Sequence, residues 1–87
     1  MRMKAETLSL YQFRSCPYCH MVGMTLDRLG VELERRDVLA EPRFADELLR
    51  ATGRHTVPCL RIEEDGGVQW LHETSDIIDY LEQRFSR

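Results

Sequence analysis

Cys16-Pro17-Tyr18-Cys19 places two thiols three residues apart. In a reducing compartment a close pair of this kind is reactive or metal-binding rather than structural. At the start of a helix, positions i and i+3 share a face, and their α-carbons fall within disulfide reach. Pro17 suits the first helical position, where a missing N–H costs no intrahelical bond. Cys16 then stands at or near the N-cap, where unpaired amides and the helix dipole favour an anion. A free thiol with a pKa of about 8.5 is only slightly ionised at neutral pH, and such a site lowers that value. Cys19 falls inside the first turn and is expected to be more buried. Cys16 is therefore read as the nucleophile and Cys19 as the resolving thiol. Arg14 is either a positive charge beside Cys16 or a solvated turn residue.

Three other readings of the pair exist. Two small hydrophobes in a core would look the same locally. Cys16-Pro17-Tyr18-Cys19-His20 matches the c-type haem attachment pattern, which normally requires export. Zinc would need Cys16, Cys19 and His20, or a distant His55, His72 or Cys59, and no second close ligand pair is present.

The pair must be held by elements whose patterning alternates between period two and helical period. Thr7 to Phe13 alternates as a first strand, with Leu8, Leu10 and Gln12 on one face and Tyr11 and Phe13 on the other. Met21, Val22, Leu26 and Leu29 form a helical stripe after Pro17, closed by Gly30. Val31 to Val38 reads as a second strand, charged enough to be an edge. Pro42 opens a second helix with Phe44, Ala45, Leu48 and Leu49 inward and Gly53 as its stop. Val57 to Glu63 is a third strand, and Asp65-Gly66 makes a type I′ hairpin into a fourth, Val68 to Leu71. Thr74 is the candidate N-cap of a last helix lined by Ile77, Ile78, Leu81 and Phe85. The order βαβαββα predicts an α/β fold. A four-stranded mixed sheet is flanked by three helices, and the first two strands run parallel through a right-handed crossover.

The chain has 87 residues, so a single domain spanning 1–87 is expected. Hydrophobic residues at 43% and charged residues at 31% fit a globular protein and exclude a disordered one. Twelve basic and fifteen acidic residues are interspersed, which leaves no nucleic-acid footprint. No window approaches a membrane span, and no apolar run of signal-peptide length follows Met1-Arg2-Met3-Lys4-Ala5-Glu6. A cytoplasmic location is the expectation. Three cysteines are too few for a disulfide scaffold.

Over Leu8 to Phe85 the sequence resembles the glutaredoxins and the amino-terminal thioredoxin-fold domain of glutathione transferases. Three landmarks carry the resemblance: Cys16-Pro17-Tyr18-Cys19, Thr56-Val57-Pro58, and Leu71-His72-Glu73-Thr74-Ser75-Asp76-Ile77-Ile78. The resemblance implies a thioredoxin-like fold and a cis proline at 58, where the residues alone allow a trans strand-starter. It implies glutathione binding by Arg14, Tyr18, Val57, Pro58, Glu73, Thr74 and Ser75. Val57 would offer its backbone to the thiol peptide. Thr74, Ser75 and the helix amides would take the γ-glutamyl carboxylate, and Glu73 its ammonium. Arg14 stands two residues before the nucleophile, where glutaredoxins usually carry a lysine three before.

The activity implied is glutathione-dependent reduction of disulfides and glutathione mixed disulfides through Cys16 and Cys19. Glutathione is the co-substrate, and no tightly bound cofactor or metal is expected. The expected partners are glutathione and disulfide-containing or glutathionylated proteins, with no nucleic acid and no membrane, and the chain a monomer. The alternative is a glutathione-binding or iron–sulfur-cluster-binding module without redox turnover.

Other residues carry weaker signals. Tyr18 packs on the bound peptide or is a surface aromatic. Arg54 and His55 reach the glycyl carboxylate or are exposed loop residues. Asp76 helps place the γ-glutamyl group or only favours the helix start. Cys59 is a partly buried strand residue or a third thiol open to glutathionylation. Trp70 is read as strand packing and His72 as a turn residue, with no role for either.

Overall fold

A computed structural model describes residues 3–86; the charged start at Met1 and Arg2, and Arg87, lie outside the described residues. The elements are β1 (Met3–Gln12), α1 (Pro17–Leu29), β2 (Val31–Asp37), α2 (Pro42–Thr52), β3 (Cys59–Glu64), β4 (Gly67–Leu71) and α3 (Thr74–Phe85). This is the expected βαβαββα order. The sheet runs β2-β1-β3-β4. β1 and β2 are parallel, and the β1/β3 and β3/β4 pairs are antiparallel. The charged strand β2 lies at an edge, as anticipated.

Strand alternation divides the core between the two faces. Leu8, Leu10, Leu60 and Ile62 pack with Val22 and Leu26 of α1 and Ile77 and Leu81 of α3. On the opposite face Tyr11, Leu48 and Cys59 pack with Phe44, Val57 and Trp70. Ala5 and Leu8 both join the first cluster although three residues separate them in number. The β1/β2 register shifts between Lys4 and Ser9, and such a bulge lets a strand change which face it presents.

The helix ends follow the sequence signals. Gly30 closes α1 at φ 70, a left-handed geometry that glycine adopts without steric penalty, and its N–H bonds back to Asp27 O at 3.2 Å. The turn at Asp65 (φ 55) and Gly66 (φ 77) has positive φ at both centres, as a type I′ hairpin requires.

Several boundaries differ from expectation. β1 starts earlier, at Met3, and β2 stops at Asp37, one residue before Val38. β3 starts at Cys59, because Val57 and Pro58 precede the paired ladder. Met21 and Leu49 are exposed. Each lies next in sequence to a buried residue, Val22 or Leu48, and so about 100° round its helix. α3 is capped by Glu73 rather than Thr74, which is already helical.

Tyr11 links three elements. Its ring is buried, Arg36 Nη1 donates to its hydroxyl at 2.7 Å, and that hydroxyl donates to Glu47 at 3.0 Å. β2, β1 and α2 are thereby joined. No described helix is long and apolar enough to cross a membrane.

Candidate active site

β1 ends at Gln12, the chain turns at Arg14-Ser15, and α1 begins at Pro17. Cys16 N donates to Phe13 O at 3.2 Å, closing the turn. Cys16 is the N-cap with extended backbone (φ −81, ψ 116), and its Sγ accepts the Cys19 N–H at 3.2 Å. A sulfur thus occupies the place that a serine or aspartate oxygen normally holds at a helix start.

Both sulfurs are shielded, Cys16 at 5% exposure and Cys19 at 3%, so the expected contrast in burial is small. The contrast lies in chemistry. Burial, then the side-chain hydrogen bond with Cys16, push the Cys19 thiol up to about 12. Cys19 is held as a thiol beside the other sulfur. All three cysteines are free.

Sheet register fixes what stands near this turn. Tyr11 pairs with Cys59, and Leu60 pairs with Leu71. The end of β1, the start of β3 and the end of β4 therefore lie along one edge of the sheet. That edge collects the Cys16 turn, the Val57-Pro58 segment and the Glu73-Thr74-Ser75 helix start. The Val57-Pro58 bond is cis, as the resemblance implied. Pro58 is buried, and Val57 packs into the cluster around Tyr11. The Glu73 side chain makes no capping hydrogen bond at the start of α3, Glu73 and Ser75 are exposed, and Thr74 is half-buried. Asp76 sits exposed in the first turn.

Arg54 and Glu73 both act on His72, Arg54 lowering its pKa and Glu73 raising it, against a larger lowering from burial. The segment before Pro58 thus comes into electrostatic range of the α3 start. His72 Nδ1 is buried and has no hydrogen-bond partner among the described residues. Its reading as a turn residue assigns it no role, and nothing in its surroundings along the chain signals this burial. His55 is exposed. Tyr18 is 60% exposed on the first turn of α1.

Arg14 is exposed in the turn before Cys16. It lines a cavity of about 390 Å³ together with Cys19, His20, Gly23 and Arg35. Sequence reasoning passed over Gly23 and Arg35. A glycine inside a helix is the one signal that marked a close approach there. Cys59, expected to be partly buried, is fully buried at 0% exposure, and burial alone raises its thiol to about 12. Trp70 packs on Tyr11 with ring centroids 5.5 Å apart, which fits its reading as strand packing. Among the described residues, no group of three or more His, Cys, Asp or Glu is arranged to hold a metal ion.

Residues 15–84 match the family described as the N-terminal domain of glutathione S-transferase. Glutaredoxin of Pseudomonas aeruginosa is 35% identical over 65 residues, covering 72% of this chain and 77% of that protein. Glutaredoxin 3 of Escherichia coli is 29% identical over 56 residues, covering 64% of this chain and 68% of the relative. Among solved structures, an epsilon-class glutathione S-transferase from the housefly, Musca domestica, aligns with a TM-score of 0.70 at 30% identity. That alignment covers 92% of this chain and 36% of the transferase. Isozyme E7 from Drosophila melanogaster gives 0.72 at 33% identity, over 92% and 35%. The chain spans about a third of the length of these two transferases.

Proposed function

The chain belongs to the glutathione S-transferase N-terminal domain family, with glutaredoxins among its relatives, and from that premise we propose that it is a glutathione-dependent thiol–disulfide oxidoreductase acting through Cys16 and Cys19. One observation carries the reading. Cys16 Sγ caps α1 by accepting the Cys19 N–H, while the Cys19 thiol is held protonated beside it. An anion at position 16 meets unpaired amides and the positive end of the helix dipole.

The chemistry follows thiol exchange. The Cys16 thiolate attacks the glutathione sulfur of a mixed disulfide. The Cys16–glutathione bond forms, the original S–S bond breaks, and the released partner thiolate takes up a proton. A second glutathione, as thiolate, attacks the bound glutathione sulfur. Oxidised glutathione leaves, and the Cys16 thiolate is restored. With a protein disulfide, Cys16 forms the mixed disulfide. Cys19 then gives up its proton and attacks Cys16, which releases the reduced protein and leaves an internal disulfide for glutathione to reduce.

Glutathione fits the sheet edge that carries Val57-Pro58 and Glu73-Thr74-Ser75. In this reading the Val57 backbone pairs with the cysteinyl unit, and Tyr18 packs on it. The start of α3 takes the γ-glutamyl carboxylate, and Glu73 takes the ammonium. A monomer in a reducing cytoplasm belongs to the same proposal.

Turnover in a glutathione-coupled disulfide reduction assay tests the reading. Wild-type protein reduces the substrate and Cys16→Ser does not; retained turnover by Cys16→Ser removes the nucleophile assignment.

A further inference from the structure

The order β2-β1-β3-β4 gives the redox turn two flanks. The glutathione reading uses the β3/β4 flank. The β2 flank holds the cavity of about 390 Å³ walled by Cys19 and Gly23 and lined by Arg14, Arg35 and His20. Cys19 and Gly23 are one turn apart and share a helix face. Arg35 lies over that face. A Cβ at Gly23 would stand 3.4 Å from Arg35 Nη1, so the guanidinium rests within van der Waals reach of the helix at that position.

Positive charge exceeds negative charge in the lining of this cavity. Neither Arg14 nor Arg35 has an ion-pair partner among the described residues. Asp27 is the one carboxylate of the lining, and it has an interaction of its own. The chain as a whole carries a charge of −3, so this concentration of positive charge runs against the rest of the molecule. Guanidinium pairs suit carboxylates, which they bind in forked geometry.

We infer that the β2-flank cavity is a docking subsite for a carboxylate carried by the protein half of the mixed disulfide, so that the preferred substrates bear Asp or Glu beside the modified cysteine. This rests on the proposed function. Glutathione fills the β3/β4 flank, and the partner released by Cys16 extends along the other. Complementary charge at such a rim raises encounter rate and selectivity more than it adds tight binding.

The experiment uses glutathionylated peptides that differ only in the residues beside cysteine: Glu, Gln or Lys. Wild-type kcat/KM is expected to favour the Glu peptide over the Gln peptide by about fivefold at low salt, with the Lys peptide lowest. Arg35→Ala brings the Glu:Gln ratio close to one and leaves Gln-peptide turnover unchanged. Arg35→Glu reverses that charge at an exposed position of the edge strand, so folding is protected, and it brings the ratio below one. Equal wild-type rates for Glu and Gln peptides overturn the inference, as does a ratio that both variants retain. A Glu peptide with serine in place of cysteine supplies a binding readout free of turnover. It is expected to shift the Gly23 and Arg35 amide resonances, and the absence of any shift overturns the subsite. Shifts without turnover of any peptide would sink the proposed function and leave the carboxylate site standing.

Discussion

Cys19 and Cys59 are both buried, and both thiols are pushed up to about 12, but by different surroundings. Cys59 lies in a cluster of Tyr11, Leu48 and Trp70, where desolvation is the whole cause. Cys19 is desolvated too, but it also shares a hydrogen bond with Cys16 at a helix start. Burial alone makes a thiol inert packing. The same burial three residues from a capping sulfur keeps one thiol in reserve while the other is presented to an anion-favouring end. What separates the regions is the neighbouring sulfur and the helix start.

The largest expected effect divides these regions outright. Cys16→Ser takes glutathione-coupled turnover to the uncatalysed background, whereas Cys59→Ala leaves turnover per folded molecule unchanged. A loss of activity in Cys59→Ala comparable to that in Cys16→Ser would erase the distinction. Alkylation gives the next contrast. Native protein treated with iodoacetamide near pH 8 should leave Cys59 unmodified by peptide mapping, while denatured protein is modified there. Modification of native Cys59 as fast as of Cys16 would break the comparison.

Stability should also fall at high pH. Between about 9 and about 12 the unfolded chain loses the Cys19 and Cys59 protons while the folded chain keeps them. The folded state then binds more protons, so unfolding free energy decreases as pH rises through that window. Denaturation of Cys59→Ala across it should show a shallower decline, and an unchanged slope would count against burial as the cause. Cys59→Ser places a hydroxyl in the same dry site and should cost about 1–3 kcal/mol in urea denaturation at neutral pH. The smallest effect belongs to Cys19→Ser acting on small glutathione mixed disulfides, where rates should stay within a few-fold of wild type.

The same contrast marks what the sequence could reveal. Local signals were legible: Pro17 and Gly30 mark the ends of α1, Asp65-Gly66 marks its hairpin, and Leu8 and Leu10 mark a core-facing strand. These depend on backbone chemistry within a few residues. Cys16 and Cys19 were legible for the same reason. The cis bond at Pro58 came from the resemblance, because an isolated Val-Pro dipeptide favours trans. Met21 and Leu49 are apolar and one step from a buried neighbour, and composition cannot tell which of two adjacent apolar residues turns inward. The bulge in β1, the contact of Arg35 with Gly23 and the burial of His72 Nδ1 arise from tertiary register. No local pattern encodes the bulge or the buried Nδ1, and the glycine within α1 is the one local hint of the Arg35 approach.

The central claim is that position 16 supplies the attacking sulfur. Its most direct test is mass-spectrometric mapping of the adduct formed when the Cys19→Ser protein, which cannot resolve it internally, meets oxidised glutathione. One glutathione on Cys16, with Cys59 free, is the predicted result. A glutathione on Cys59 with Cys16 unmodified, or no adduct at all, would contradict it.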